Sequence, residues 1–130
     1  MKKGVNTVIG INVRFGKNVT IGNNCNILDN TVINSNVIIG NNVTIECDCV
    51  ISNQVSIEDN VTIRSNTIIG TEVTIGNDST INSNCIISSG VRIHENNVIG
   101  AYTMIGYSAV IYAGCMLADM SIIEVRQKIS

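Results

Sequence analysis

An apolar side chain recurs at every sixth residue along almost the whole chain. The repeat runs from Ile9 to Ile129 without an insertion; 19 of its 21 positions are Ile, and the other two are Phe15 and Leu117. A period of six matches neither the 3.6-residue period of a helix nor the two-residue alternation of an ordinary strand. It matches a short strand followed by a two-residue corner.

Two further slots of the repeat support this interpretation. The position four residues after each apolar residue is small in 18 of its 20 occurrences, and the exceptions are Asn97 and Gln127. The position just before it is Asn, Asp or Gly at 14 of 20 sites, which favours tight turns because these residues tolerate the left-handed conformation. Since every strand carries the same inward pattern, successive strands are expected to wind into a parallel solenoid rather than fold back as hairpins.

This pattern resembles the hexapeptide-repeat acyltransferase superfamily, and is nearest in character to the sugar O- and N-acetyltransferases of surface-polysaccharide pathways. The resemblance implies an all-β fold: a single-stranded, triangular, left-handed parallel β-helix of about six coils of 18 residues, without an extruded loop. The left hand comes from the resemblance, because general connection rules favour right-handed crossovers. We expect one domain over residues 1–130, with an N-terminal cap over 1–8, regular coils over 9–117 and an irregular C-terminal coil or cap over 118–130.

One outward-facing column is apolar. With three strands per coil, residues 18 apart stack on one face, and one such column forms what we call the apolar ridge: Val32, Val50, Ile68, Ile86, Met104 and Ile122. Exposed apolar patches of this size mark interfaces, and members of the resembled family are typically trimers, so we expect a homotrimer that forms through the ridge. The alternative is a monomer whose β-branched outer face merely suits strand propensity.

The resemblance implies transfer of an acyl group from acetyl-CoA or another acyl-CoA to a hydroxyl or amine of a sugar or nucleotide sugar, in a groove between subunits. In such enzymes a histidine deprotonates the acceptor. This chain contains one histidine, His94, which alternation places outward at the end of a strand. His94 is therefore the candidate catalytic base, and the alternative is a solvated surface residue.

Several departures from the family pattern favour a second hypothesis, a non-catalytic or degenerate trimeric scaffold or binding protein. Residues 45–51 resemble a segment of sugar acetyltransferases in this superfamily that has the pattern acidic-His-acidic-Cys. In the present chain Cys47 stands at the position of that histidine, and Ser56 stands where those enzymes have a second histidine. Cys47 is either a reactive thiol, which neighbouring Glu46 and Asp48 would disfavour, or an exposed corner residue. Residues 110–119 also resemble a segment of surface-polysaccharide acyltransferases. In those proteins a Thr-Gly-His motif follows a few residues later, but this chain lacks it.

Composition narrows the remaining possibilities. Eight scattered Lys and Arg residues and 3% aromatic content give no nucleic-acid surface, and no apolar run approaches the ~18 residues of a membrane span. Without a signal-peptide core, the expected location is the cytoplasm. We expect no metal, because one histidine is too few and four of the five cysteines fall in the small inward slot. The residues Tyr102, Tyr107 and Tyr112 near one end indicate either a donor or partner patch or a cap.

Overall fold

The computed structural model describes residues 1–130 as 22 two-residue β-strands that form three parallel sheets, here called faces A, B and C. Face A contains β1 (Lys2–Lys3), β4 (Thr20–Ile21), β7 (Ile38–Ile39), β10 (Ser56–Ile57), β13 (Thr74–Ile75), β16 (Arg92–Ile93), β19 (Val110–Ile111) and β22 (Lys128–Ile129). Face B contains β2 (Val8–Ile9), β5 (Asn26–Ile27), β8 (Thr44–Ile45), β11 (Thr62–Ile63), β14 (Thr80–Ile81), β17 (Val98–Ile99) and β20 (Met116–Leu117). Face C contains β3 (Arg14–Phe15), β6 (Val32–Ile33), β9 (Val50–Ile51), β12 (Ile68–Ile69), β15 (Ile86–Ile87), β18 (Met104–Ile105) and β21 (Ile122–Ile123).

The strands confirm the predicted three-sided parallel solenoid. Each pairs in parallel with the strand 18 residues further on, as in Ser56↔Thr74 and Thr74↔Arg92, and no loop interrupts the six-residue spacing. The solenoid has about seven coils rather than the six expected, because strands also form within residues 1–8 and 118–130. A capping role for these two segments stays a prediction.

The repeated Ile residues fill the interior as predicted. Those from Ile21 to Ile111 are at most 2% exposed, and the small slot between them is equally buried. Inward polar side chains in that slot also join successive coils: Thr31 Oγ1 donates to the carbonyl of Glu46 at 3.0 Å, and Cys49 Sγ donates to the carbonyl of Arg64 at 3.1 Å. The inward cysteines are therefore packed and hydrogen-bonded within the core.

The corners explain the abundance of asparagine. Every sixth residue from Asn6 to Arg126 has a φ between 58° and 77°; 19 of these residues are not glycine, and the other two are Gly90 and Gly114. Asparagine is the residue that adopts this left-handed backbone most cheaply after glycine. The corners thus fix the chain direction at each turn from one face to the next.

The apolar ridge forms a single outward column on face C, as the 18-residue stacking predicted. Val32 and Val50 are half-buried, whereas Ile68, Ile86, Met104 and Ile122 are 45%, 42%, 51% and 73% exposed. The ridge therefore presents most of its exposed apolar surface in the coils nearer the C-terminus, here called the upper coils. The structure has no helix of the length and apolarity needed to cross a bilayer.

Candidate functional site

A groove of about 370 Å³ opens on face A where that face turns towards face B. Its lining comes from three successive coils: Ser56, Glu58, Thr74, Ile75, Gly76, Arg92, Ile93, His94 and Glu95. The side chains of Glu58, Arg92, His94 and Glu95 are exposed, whereas Ile75 and Ile93 belong to the buried core. The groove gathers the only imidazole of the chain, two carboxylates, a guanidinium group and two hydroxyls.

Gly76 forms the floor of this groove. A Cβ at this position would lie 2.6 Å from the backbone nitrogen of Glu95 and 2.7 Å from the carbonyl carbon of His94, so glycine is required by the coil above. Because Gly76 has no side chain, space remains between Glu58 one coil below and His94 one coil above. Two coil steps separate the backbones of Glu58 and His94 by about 10 Å.

His94 is held by several contacts. Its backbone N–H donates to the carbonyl of Ile111 at 2.9 Å. Its own carbonyl accepts from Ser79 Oγ at 3.2 Å and from Asn97 Nδ2 at 2.9 Å. The imidazole stacks on the ring of Tyr112, with a centroid distance of 5.4 Å and an interplanar angle of 24°. The ring is thus supported from the coil above, and His94 remains exposed.

Asn97 occupies the small inward slot and is fully buried. Besides its bond to His94, its Oδ1 accepts from the backbone N–H of Cys115 at 2.7 Å, and its Nδ2 also donates to the carbonyl of Ile111 at 3.4 Å. A buried amide is tolerated because each of its polar atoms has a partner. One of the two exceptions to the small-slot rule therefore supports the backbone of the groove.

A ladder of side chains along the corner between faces A and B breaks at the groove. Asn23 and Asn41 Oδ1 each accept a backbone N–H from one coil below, and so do Asp59 and Asn77 Oδ1, at distances from 2.7 to 3.0 Å. The next residue of the ladder is Glu95, which accepts no such bond; the N–H of Asn77 donates to Glu58 Oε1 at 3.2 Å instead. The Glu95 carboxylate is therefore free to face a ligand.

The charges of the groove are not neutralised by ion pairs. The single ion pair of the chain joins Arg64 and Glu46 at 3.4 Å, on the corner between faces B and C. Arg92, Glu58 and Glu95 take no part in it. Unpaired charges of both signs around one groove are typical of a site that recognises a polar ligand.

The predicted residues are distributed over different faces. His94 lies in the groove on face A, the apolar ridge on face C, and Cys47 half-exposed at the corner between faces B and C. Ser56, noted where the family pattern has a histidine, lines the groove. Tyr102, Tyr107 and Tyr112 lie at three different corners, so they share no common patch, and of the three only Tyr112 contacts His94.

Sequence reasoning missed Glu58, Thr74, Gly76 and Arg92. The 18-residue stacking that predicts the ridge also links the column that follows the inward Ile on face A. That column reads Gly4, Gly22, Gly40, Glu58, Gly76, His94 and Tyr112, and its charged and aromatic members all fall in the upper half. Applying the same period there would have placed Glu58 below His94.

A second groove, of about 360 Å³, lies on the upper part of face C. It is mostly apolar and is lined by Ile86, Met104 and Ile122 of the ridge together with Ser88, Ile105, Gly106, Ile123, Glu124 and Val125. Metal-ligating side chains form no group of three or more that could hold an ion anywhere in the structure.

Comparison with known proteins identifies the family. The model of the bacterial transferase hexapeptide (six repeats) matches residues 36–71 and 72–107, which together make up more than half of the chain. The chain belongs to this family. All the groove-lining residues lie within the matched segments, and the left hand of winding is the one known for this family.

One solved structure shows the same fold at low sequence identity, and a second is similar at a lower score. A proposed acetyltransferase from Bacillus cereus is 21% identical, with a TM-score of 0.54 over 93% of this chain and 72% of that protein. The UDP-N-acetylglucosamine O-acyltransferase of Moraxella catarrhalis is 20% identical, with a TM-score of 0.48 over 95% of this chain and 65% of that enzyme. No curated protein sequence is significantly similar to this chain.

Proposed function

We propose that this protein is an acetyltransferase that modifies a hydroxyl or amine of a sugar or nucleotide sugar, with His94 as the base that accepts the acceptor's proton. The proposal rests on family membership and on the groove of face A. The observation that carries it is the coincidence of exceptions: the sole histidine, the buried Asn97 and the break at Glu95 all occur around this groove. Departures from a repeat concentrate where function outweighs regularity.

The chemistry requires only a proton acceptor from this chain. Acetyl-CoA would supply an acetyl group activated as a thioester. His94 would take the proton from the acceptor as its oxygen or nitrogen bonds to the acetyl carbon, and would return it to the CoA sulfur as the thioester C–S bond breaks and CoA leaves as the thiol. Stacking on Tyr112 and the bonds to the backbone of His94 keep the imidazole in place for this step.

The residues of one chain fit the donor in part. The apolar groove on face C does not suit the donor, because its ridge residues would be buried in the proposed trimer and it lies opposite the corner that carries His94. Arg92 is the one cation in the groove of face A. We therefore propose that the donor lies between subunits and draws on a second chain.

A homotrimer that forms through the ridge is compatible with this proposal. The chain passes from face A to face B to face C, so the corner next to His94 is the one opposite face C. In a trimer with face C turned to the axis, face A of each subunit would meet face B of the next across an outward-opening cleft. His94 would lie at the outer rim of that cleft.

The second candidate is a trimeric scaffold or binding protein without catalysis. It is favoured by Cys47 and Ser56, which stand where similar enzymes carry histidines, and by the absence of a second imidazole near His94. A cytoplasmic location is proposed for either function, because the buried thiols of Cys25, Cys49 and Cys85 form no disulfide.

Thermal unfolding with acetyl-CoA and CoA separates the two candidates. A ligand at 100 times its dissociation constant stabilises the folded state by about 2.7 kcal/mol, which would raise Tm measurably. An acetyltransferase should show this shift and lose acetyl transfer in His94→Ala, while the exposed corner control Glu72→Gln keeps it. Intact trimers without a shift would leave only the scaffold.

A further inference from the structure

We infer that the groove of face A, which ends at the corner opposite the ridge, is a binding site for a small molecule that carries both an amine and an anionic group. The inference rests on the proposed function, since it names the acceptor class of the same site. Its basis is the charge pattern of the groove rather than family membership.

The cationic side of the groove is the outward column of the strands. Arg92 stands above the hydroxyls of Thr74 and Ser56, because these three residues pair directly in the sheet. The Arg92 guanidinium has no ion-pair partner in the chain. A guanidinium beside hydroxyl groups is suited to a phosphate or a carboxylate.

The anionic side is the column two residues further along. Glu58 uses Oε1 to accept the N–H of Asn77, which leaves Oε2 available, and the Glu95 carboxylate has no partner. Both carboxylates and the imidazole of His94 lie on the side of the groove next to the corner with face B. This end is suited to an amine, which donates to a carboxylate as an ammonium group.

The two sides set the spacing of the ligand's groups. Residues two apart in a strand are about 6.5 Å apart along the chain, so Arg92 and His94 address groups at that separation. From Gly76 the groove extends by one coil upward to His94 and by one coil downward to Glu58. A monosaccharide with an amine and an anionic substituent matches these dimensions, whereas a neutral sugar leaves three charged side chains without partners.

Assembly through the ridge would leave the end of the groove beside His94 uncovered, because the corner between faces A and B lies opposite face C, which carries the ridge. Binding of the acceptor is therefore expected to survive the loss of assembly, whereas transfer would need the donor as well.

Calorimetric titration with matched sugars tests the inference. The probes are glucosamine 6-phosphate, 2-amino-2-deoxyglucuronate, glucosamine and glucose 6-phosphate. The two zwitterionic probes differ in carrying a phosphate or a carboxylate, and the tighter one identifies the anionic group. We expect at least one of them to bind more tightly than both single-charge probes.

Substitutions assign each side of the groove. Glu58→Gln, which keeps an oxygen for the N–H of Asn77, should weaken the zwitterionic probe about tenfold and leave glucose 6-phosphate unchanged. Arg92→Gln should weaken the zwitterionic probe and leave glucosamine unchanged. Glu72→Gln and Arg14→Gln, exposed residues outside the groove, serve as controls and should bind as the unaltered protein does.

Three results would overturn the inference: no binding of either zwitterionic probe, equal affinity for all four sugars, or loss of binding in the ridge variant Ile68→Asp/Ile86→Asp while it stays folded. Binding without acetyl transfer would instead reject the proposed function and leave the site intact. Transfer that proceeds equally well to glucose 6-phosphate and glucosamine 6-phosphate would support the function and reject this acceptor class.

Discussion

Asn97 Nδ2 donates a hydrogen bond of 2.9 Å to the carbonyl of His94, so a buried amide in the core positions the backbone of the groove above it. Of the 20 small inward slots, 11 hold Val, Ser or Ala, seven hold Cys or Thr, and only Asn97 and Gln127 hold an amide. The exception thus links the interior of the solenoid to the one histidine on its surface.

Asn97→Val should destabilise the fold although Val is the commonest residue of this slot. The backbone N–H of Cys115 loses its acceptor at 2.7 Å, and an unsatisfied buried donor costs about 1–3 kcal/mol. Urea unfolding measures the loss. Thr67→Val, which removes the bond to the carbonyl of Asn82 at another corner, is the matched control and should leave ligand binding in the groove unchanged. Equal or greater stability of Asn97→Val would contradict the role given to this amide.

The ridge variant Ile68→Asp/Ile86→Asp should be monomeric. In the proposed trimer, burial of these two side chains and their neighbours would contribute about 1.5–3 kcal/mol each, and a carboxylate in their place would have to be desolvated. The molar mass measured by light scattering should fall from three times the chain mass of 13.9 kDa to the mass of a single chain. Thr62→Asp/Thr80→Asp alters the outward column of face B in neighbouring coils and should keep the trimer. A trimeric ridge variant would place the contact elsewhere.

Alkaline pH should weaken the fold through its buried thiols. Burial raises the pKa of the Cys49 thiol from 9.0 to about 11, and it also raises the pKa of Cys85. A thiol whose pKa is raised on folding stabilises the folded state fully below pH 9, and this contribution is lost as the pH rises through its folded pKa. For Cys49 the loss is at most about 2.7 kcal/mol.

The variant Cys49→Ser/Cys85→Ser isolates this effect. Ser79 shows that serine makes the same bond to a corner carbonyl, so the fold should persist. Urea unfolding between pH 8 and pH 11 should show a shallower decline for the variant than for the unaltered protein. Parallel declines would mean that other groups cause the alkaline loss.

Two glycines should respond in opposite ways to substitution. Gly76→Ala places a Cβ 2.6 Å from the backbone of Glu95, and the required shift should cost about 1–3 kcal/mol and narrow the groove. Gly114 has a φ of 77° and open space around its missing Cβ. Gly114→Asn should therefore be nearly neutral in thermal unfolding, because asparagine occupies most other corners at φ near 60°. A strongly destabilised Gly114→Asn would contradict this account of the corners.

The sequence determined the architecture because one rule acts at every level of the chain. The period of six predicted the inward Ile, the small slot, the left-handed corners and the ridge, and each lies where it was expected. The solenoid has about one coil more than the six expected, because the two-residue strands of both terminal segments obey the same rule.

The candidate site was only partly predictable. His94 was identified from its residue type, but Glu58 and Arg92 depend on stacking between coils, which becomes visible only when residues 18 or 36 apart are compared. The role of Asn97 required the hydrogen-bond geometry, because a lone amide in a core slot does not reveal its partners. The free carboxylate of Glu95 likewise depends on a bond that Asn77 makes to Glu58 instead.

The regular corners also give this molecule a coordinate system. A residue number fixes both the face of a side chain and its height along the solenoid axis. Adding 18 to the number moves the side chain up by one coil and keeps it on the same face. The residues Glu58, Gly76 and His94 could therefore be introduced together at positions 40, 58 and 76, which would place the same arrangement one coil lower on the same face. In such a scaffold a reactive group can be moved along the axis in steps of one coil, about 4.8 Å each.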